Sequence, residues 1–108
     1  MRVEIKIGLS DRDGSLFGEK QNDELSSFLD KLADLAGGLE EKDVTGRYKN
    51  RKGKIITEPA KDITIFLSGN EELILKEMKA LTKQFLIQTN QESAIIVVDL
   101  LKTELIET

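Results

Sequence analysis

The sequence predicts an α+β fold in which two helices cover one face of an antiparallel four-stranded sheet. Residues 1–9 alternate strictly between apolar and polar side chains, which indicates a strand with one buried face. Two later segments carry apolar side chains at spacings of three and four, which indicates amphipathic helices. Together with the remaining β-branched segments, the element order is β-α-β-β-α-β. Right-handed crossovers applied to that order give the split βαβ, ferredoxin-like sandwich, with strand order 4-1-3-2.

The first strand and the first helix have recognisable ends. Turn-forming residues 11–15 end the strand. Asn22 is expected to cap the free backbone N–H groups at the start of the helix. Gly37 and Gly38 end it, because glycine tolerates the left-handed conformation of a helix C-terminus. We therefore expect the helix to span residues 22–36.

Residues 43–58 are typical of a hairpin whose loop, residues 50–53, ends in a glycine. Pro59 lacks a backbone N–H donor, so we expect a bulge or a break in strand pairing there. The sequence therefore predicts one long, bent strand over residues 54–68, whose first half pairs with residues 43–49.

The C-terminal part predicts a helix, a strand and a short tail. Asn70 repeats the earlier cap and opens a helix that ends near Asn90, and residues 93–101 form a β-branched fourth strand. We expect the tail, residues 102–108, to extend this strand or to form a short helical turn.

The predicted fourth strand lies at an edge of the sheet and is apolar on both faces between residues 94 and 98. An edge of this kind promotes association unless something covers it. We therefore predict a homodimer formed either edge to edge through this strand or across the open face of the sheet. The alternative is that the tail folds back and covers the sheet within one chain. The candidate interface residues are Ile95, Val97, Leu101, Leu105 and Ile106.

Composition narrows the chemistry available to the chain. Its 108 residues fit a single domain, residues 1–108, with a net charge of −4 and with neither Cys nor His. These absences exclude disulfides, thiolate nucleophiles, Ser-His triads and zinc sites built from Cys or His. Because Met1 leads directly into a strand and no apolar run is long enough to cross a membrane, we expect a cytoplasmic protein. No cofactor is implied.

Several short motifs, taken in order, resemble those of the small bacterial and phage proteins grouped as domain of unknown function 3574. This resemblance supports the fold and implies a bacterial or phage source, but it implies no activity. The motifs that carry it are Ile7-Gly-Leu-Ser10, Asp13-Gly14, Gly46-Arg-Tyr48, Gly53, Ile55-Ile-Thr-Glu-Pro59 and Gln91-Glu-Ser93.

The predicted hairpin carries a basic cluster that surrounds an aromatic side chain. Residues 47–54 hold five basic residues, while the rest of the chain holds 11 basic and 20 acidic ones. Such a cluster can bind nucleic-acid phosphate, but the acidic remainder would repel a polyanion, so a solvated hairpin tip is the favoured interpretation and nucleic acid is not the expected partner. The cluster consists of Arg47, Lys49, Arg51, Lys52 and Lys54.

A second candidate site is a cleft at one end of the sheet. Glu58 lies beside Pro59, and Gln91 and Glu92 precede the fourth strand, so the two carboxylates can meet if both lie at the same end. Paired carboxylates can share a proton or bind Mg²⁺, although two glutamates alone specify little and no metal site is assigned. Tyr48 is the fourth candidate residue of this cleft, as a possible acid or base.

Three functions follow from these features. The principal prediction is a homodimeric interaction or ligand-binding module without catalysis, whose small-molecule ligand the sequence does not identify. The alternative is a small enzyme or metal-dependent protein that uses Glu58 and Glu92 in the cleft. The third is a nucleic-acid accessory protein that binds phosphate through the basic hairpin 47–54.

Overall fold

The computed structural model describes residues 1–99 and 102–108 as a five-stranded antiparallel sheet with two helices. The strands are β1 (Arg2–Gly8), β2 (Glu40–Lys49), β3 (Ile55–Phe66), β4 (Ser93–Val98) and β5 (Lys102–Glu107), and the helices are α1 (Glu19–Ala36) and α2 (Glu71–Gln88). Within the sheet the strand order is β2-β3-β1-β4-β5. The predicted α+β, ferredoxin-like fold and the order of its first four strands are confirmed.

The core lies between the sheet and the two helices. The apolar side chains of the alternating first strand, Val3, Ile5 and Ile7, are buried, and Phe28 of α1 stacks on Phe85 of α2 with ring centroids 4.6 Å apart. Because successive side chains of a strand point to opposite faces of the sheet, every second side chain points away from the helices. We call this helix-free side the open face.

The tail forms a fifth strand, so the prediction of a four-stranded sheet with β4 at its edge is wrong. β5 pairs antiparallel with the whole of β4, from Ser93 opposite Glu107 to Val98 opposite Lys102. The tail neither extends β4 nor forms a helical turn. The alternative interpretation, in which the tail covers the strand within one chain, describes this edge correctly, because β5 supplies the missing backbone hydrogen bonds of β4.

The predicted helix caps differ from the observed ones. α1 begins one turn before Asn22, with Gly18 as its N-cap, and the Gly18 N–H donates to Gln21 Oε1 at 3.1 Å. Asn22 therefore lies inside the helix. Asn70 is the N-cap of α2, but it has a φ of 51° and its side chain makes no capping hydrogen bond. At the other end of α1, Gly37 has a φ of 87°, as its proposed role requires.

Pro59 causes neither a bulge nor a break, contrary to expectation. The β2–β3 register runs without a shift through the pair Thr45 and Pro59. The carbonyl of Pro59 accepts a hydrogen bond from Leu9 N–H at 2.8 Å, and the Leu9 carbonyl accepts one from Phe17 N–H at 3.1 Å. The missing donor of Pro59 therefore leaves no acceptor unsatisfied, which explains why a proline is tolerated here.

No helix within the described residues has the length and the apolar character that a membrane crossing requires.

Candidate active site on the open face

The open face contains a pocket with a volume of about 560 Å³ near the C-terminal end of β1. All five strands and the loop before β4 contribute lining residues. The pocket contains all four candidate residues of the predicted cleft: Glu58, Gln91, Glu92 and Tyr48. The four residues that the sequence analysis groups at one end of the sheet therefore line one pocket.

Glu58 is the buried carboxyl group of the pocket, with only 4% of the residue exposed. It lies on β3 opposite Gly46 of β2, and its carboxyl group reaches across to β1. A Cβ atom at Gly8 would lie 1.8 Å from Glu58 Oε1, so a side chain at that position would displace the carboxyl group. Glycine at position 8 thus provides the space that Glu58 occupies.

The environment of Glu58 shifts its proton affinity into the neutral range. Ser10, which is also buried, donates a hydrogen bond from Oγ to Glu58 Oε2. Burial raises the pKa of Glu58 to about 7, against the opposing effect of a hydrogen bond from the backbone of Ser10. No lysine pairs with Glu58 among the described ion pairs. Near neutral pH this carboxyl group can therefore either accept or donate a proton.

Tyr48 lines the same pocket as a neutral phenol. Burial, which is the largest cause, and the negative charges of Glu58, Glu92 and Asp11 together raise its pKa to about 12. The phenol therefore keeps its proton at neutral pH and is available as a hydrogen-bond donor among carboxylates.

Gln91 and Glu92 have different surroundings although they are adjacent. Gln91 is 4% exposed, and its Nε2 donates to the carbonyls of Gly8 at 2.6 Å and Ser10 at 3.0 Å. Glu92 accepts a hydrogen bond from the backbone N–H of Arg51 at 3.3 Å, and its Oε2 lies 3.7 Å from Arg51 Nε. Glu58 and Glu92 thus share a pocket, but Glu92 is bound to the hairpin tip.

The basic cluster is partly neutralised by acidic residues of the same chain. Arg51 also pairs with Glu107 at 3.0 Å, and Lys52 pairs with Asp13 at 3.3 Å. Arg47, Lys49 and Lys54 are exposed, and the first two line the pocket. Ion pairs therefore tie the hairpin tip to the end of the sheet, while its remaining basic side chains stay exposed to solvent. Binding of nucleic acid stays an untested prediction.

The candidate interface residues lie on two different faces. Ile95, Val97 and Leu105 point to the open face, and Ile95 and Leu105 line the pocket. Ile106 pairs with the buried Ala94 and packs against the hydrophobic core, so it lies on the opposite side of the sheet from the open face. Leu101 lies outside the described residues.

Sequence reasoning missed Gly8 and Ser10 as parts of the site. Both belong to a motif that carries the family resemblance, but their proximity to Glu58 depends on the register in which Gly8 pairs with Ala60. The available signal was the alternation of residues 1–9, which places Gly8 on the polar face of the first strand. No group of three acidic side chains that could hold a metal ion occurs in residues 1–99 and 102–108.

Two solved structures resemble this chain over 99% of its length and 88% of theirs. One is a phage SAM lyase in complex with S-methyl-5'-thioadenosine, with a TM-score of 0.74 and 18% identity. The other is a phage SAM lyase in its apo state, with a TM-score of 0.71 and 21% identity. At these identities the likeness shows a common fold. No protein-family model and no curated protein matches the chain, so the resemblance to the domain of unknown function 3574 stays a prediction.

These comparisons contradict the principal functional prediction, an interaction module without catalysis. Both similar structures are enzymes, and the likeness covers nearly the whole chain. The prediction was wrong because it rested on a paucity of catalytic residue types, whereas a buried carboxyl group in a pocket is sufficient for proton chemistry. The alternative, a small enzyme with Glu58 and Glu92 in a cleft, is better supported.

Proposed function

We propose that this chain is a lyase that binds S-adenosylmethionine (SAM) in the open-face pocket and releases S-methyl-5'-thioadenosine. The observation that carries the proposal is the pocket itself, which places the buried Glu58 and the neutral Tyr48 together on a fold shared with phage SAM lyases. Its volume of about 560 Å³ lies within the usual range of small-molecule sites.

Within the pocket, whose lining also includes Lys6, Arg47 and Lys49, the carboxyl group of Glu58 is the group that suits a cationic ligand. SAM carries a positive sulfonium, and an opposite charge near a carboxyl group stabilises the ionised form. Binding of the substrate would therefore lower the pKa of Glu58 from about 7 and convert this residue to its carboxylate. The aromatic ring of Tyr48 adds a surface that attracts cations.

The proposed reaction breaks the bond between sulfur and the γ-carbon of the methionine moiety. The electron pair of that bond stays on sulfur, so S-methyl-5'-thioadenosine leaves as a neutral thioether. The γ-carbon replaces the broken bond in one of two ways. Either the substrate's own carboxylate oxygen attacks the γ-carbon and forms a lactone, or a base removes a proton from the β-carbon and an alkene forms between the β- and γ-carbons. Glu58 suits either route, as the group that stabilises the cationic substrate or as the base.

The test is to incubate the purified chain with SAM and to identify both products by mass spectrometry. We expect S-methyl-5'-thioadenosine together with a lactone or an alkene of the four-carbon fragment. Glu58→Gln should lower product formation by about 100-fold or more, whereas Glu72→Gln, at an exposed acid in the first turn of α2, is the matched control. A wild-type rate equal to the spontaneous decay of SAM would contradict the proposal. Open-chain homoserine as the first product would indicate hydrolysis instead of lyase chemistry.

A further inference from the structure

We propose that Gln91 is a positioning residue of this site, which fixes the segment Gly8–Ser10 so that Ser10 and Gly8 together place the Glu58 carboxyl group in the pocket. The inference deepens the proposed function, on which it rests only in taking Glu58 as the group that meets the substrate. Gln91 contacts Glu58 indirectly, through β1 and the residues that follow it.

Both polar atoms of the Gln91 carboxamide make hydrogen bonds. Its Nε2 donates to the carbonyls of Gly8 and Ser10, at 2.6 and 3.0 Å, and its Oε1 accepts from Thr89 Oγ1 at 2.9 Å. The orientation of the amide is fixed, because a flip would place Oε1 against two carbonyl oxygens. The backbone N–H of Gln91 donates to Leu86 O at 2.8 Å, which ties this side chain to the end of α2.

The two residues that Gln91 holds are the same two that contact Glu58. Ser10 donates its hydroxyl to Glu58 Oε2, and Gly8 leaves the space for Glu58 Oε1. A shift of this segment would therefore change both contacts of the carboxyl group. Gly8, Ser10, Glu58 and Gln91 therefore lie in one region, where β1, β3 and the loop before β4 meet.

Other side chains at position 91 would not do the same. Met has a similar length but no donor, so both carbonyls would lose their partner in a buried environment. Glu has the same shape, but its carboxylate would repel the two carbonyl oxygens. The specific requirement is for a buried side chain with two N–H donors at this position.

A positioning role differs from a merely structural one in its effect on the pH dependence. A shift of the segment Gly8–Ser10 would weaken the hydrogen bonds that both the hydroxyl and the backbone of Ser10 make to Glu58. These bonds favour the carboxylate, so the pKa of Glu58 should rise above about 7. The acidic limb of the pH–rate profile should move with it. A purely structural loss would instead lower the rate by the same factor at every pH.

The experiment compares Gln91→Met with Gln88→Met, the same substitution at an exposed position three residues earlier. The pKa of Glu58 is measured by carboxyl ¹³C NMR, and kcat/KM for S-methyl-5'-thioadenosine formation is measured against pH. We expect Gln91→Met to raise the pKa and to move the acidic limb by roughly one pH unit, with about a tenfold loss of kcat/KM at the low-pH end. Gln88→Met should match the wild type.

A second pair of variants tests the same contact without touching Gln91. Ser10→Ala removes the hydroxyl donor but keeps the backbone, so it should raise the pKa of Glu58 by less than Gln91→Met does, and Ser10→Thr, which keeps the hydroxyl, should leave the pKa near the wild-type value. This pair keeps the proposal testable if Gln91→Met does not fold. An unchanged pKa of Glu58 in folded Gln91→Met or in Ser10→Ala would overturn the proposal, as would a loss of rate independent of pH. The NMR measurement requires no turnover, so a wild-type chain inactive towards SAM would count against the proposed function alone.

Discussion

Glu58 occupies a position where burial makes the folded state less stable at high pH. Its pKa rises from 4.5 to about 7 on folding, so the folded chain binds this proton more tightly than the unfolded chain. The free energy of unfolding therefore decreases as pH rises from about 4.5 through 7 and levels off above that. The contribution of this one group is roughly 3 kcal/mol.

Replacement of Glu58 by Gln should increase stability and decrease activity. The amide keeps the shape of the side chain and carries no charge, so Glu58→Gln should raise the free energy of unfolding at pH 8 by up to roughly 3 kcal/mol. At pH 4 the two proteins should be nearly equally stable. Formation of S-methyl-5'-thioadenosine should fall by about 100-fold or more. Urea unfolding at pH 4 and pH 8 measures the change in the free energy of unfolding. An equal pH dependence in both proteins would contradict the raised pKa of Glu58.

Tyr48 offers an independent measure of the charge in the pocket. It is the single tyrosine in a chain without tryptophan, so its ionisation can be followed by ultraviolet absorbance. The wild type should titrate near pH 12, and Glu58→Gln should lower this value because one negative charge is removed. The value should stay above 10, since burial is the largest cause of the shift. Circular dichroism at each pH confirms that the fold is intact, and an unchanged titration would place Glu58 too far away to act on the phenol.

At the scale of elements, the fifth strand is the feature that sequence patterns concealed. Residues 102–107 do not alternate between polar and apolar types, and Glu104 falls on the same face as Ile106, which packs against the core. The polar residue is accommodated because Glu104 pairs with Lys79 of α2. An acidic residue on a covered face disguises the strand, and only the tertiary contact with α2 reveals it.

The register of β5 predicts opposite effects for two neighbouring side chains. Ile106 packs against the core, whereas Leu105 is 58% exposed on the open face. Ile106→Ala should lower the free energy of unfolding by about 2 kcal/mol, and Leu105→Ala by less than about 1 kcal/mol. Chemical denaturation of both variants tests this. Since a slip of one residue would exchange the two faces, the reverse order would contradict the observed register.

At the scale of the whole molecule, the sequence predicts the fold better than it predicts the site. Periodicity and glycine stops are local signals, and they located the two helices and the first four strands. The approach of Gly8 and Ser10 to Glu58 depends on pairing between strands about 50 residues apart, which periodicity does not encode. Glu58 was recognisable as a polar residue beside the proline of a long strand, and Gln91 as one that precedes a strand. Their burial, which changes their chemistry, was not.

The oligomeric state is the remaining prediction at this scale, and the structure changes its basis. β5 covers the edge of β4, so association by edge pairing of β4 no longer explains a dimer. The open face still presents Ile95 and Leu105, with 41% and 58% exposure, and Val97 lies beside them. Burial of such side chains between two copies would be favourable, so we still expect a homodimer, now through the open face.

Light scattering at high micromolar concentration should give the mass of two chains for the wild type. Leu105→Lys should reduce it to one, because a buried lysine without a partner opposes association. Leu73→Lys is the matched control, since Leu73 is 59% exposed on α2, away from the open face, and should leave the mass unchanged. A wild-type monomer would contradict the prediction. A dimer that survives Leu105→Lys but not Leu73→Lys would place the contact on the helices, and the pocket would then stay open to solvent in the assembled protein.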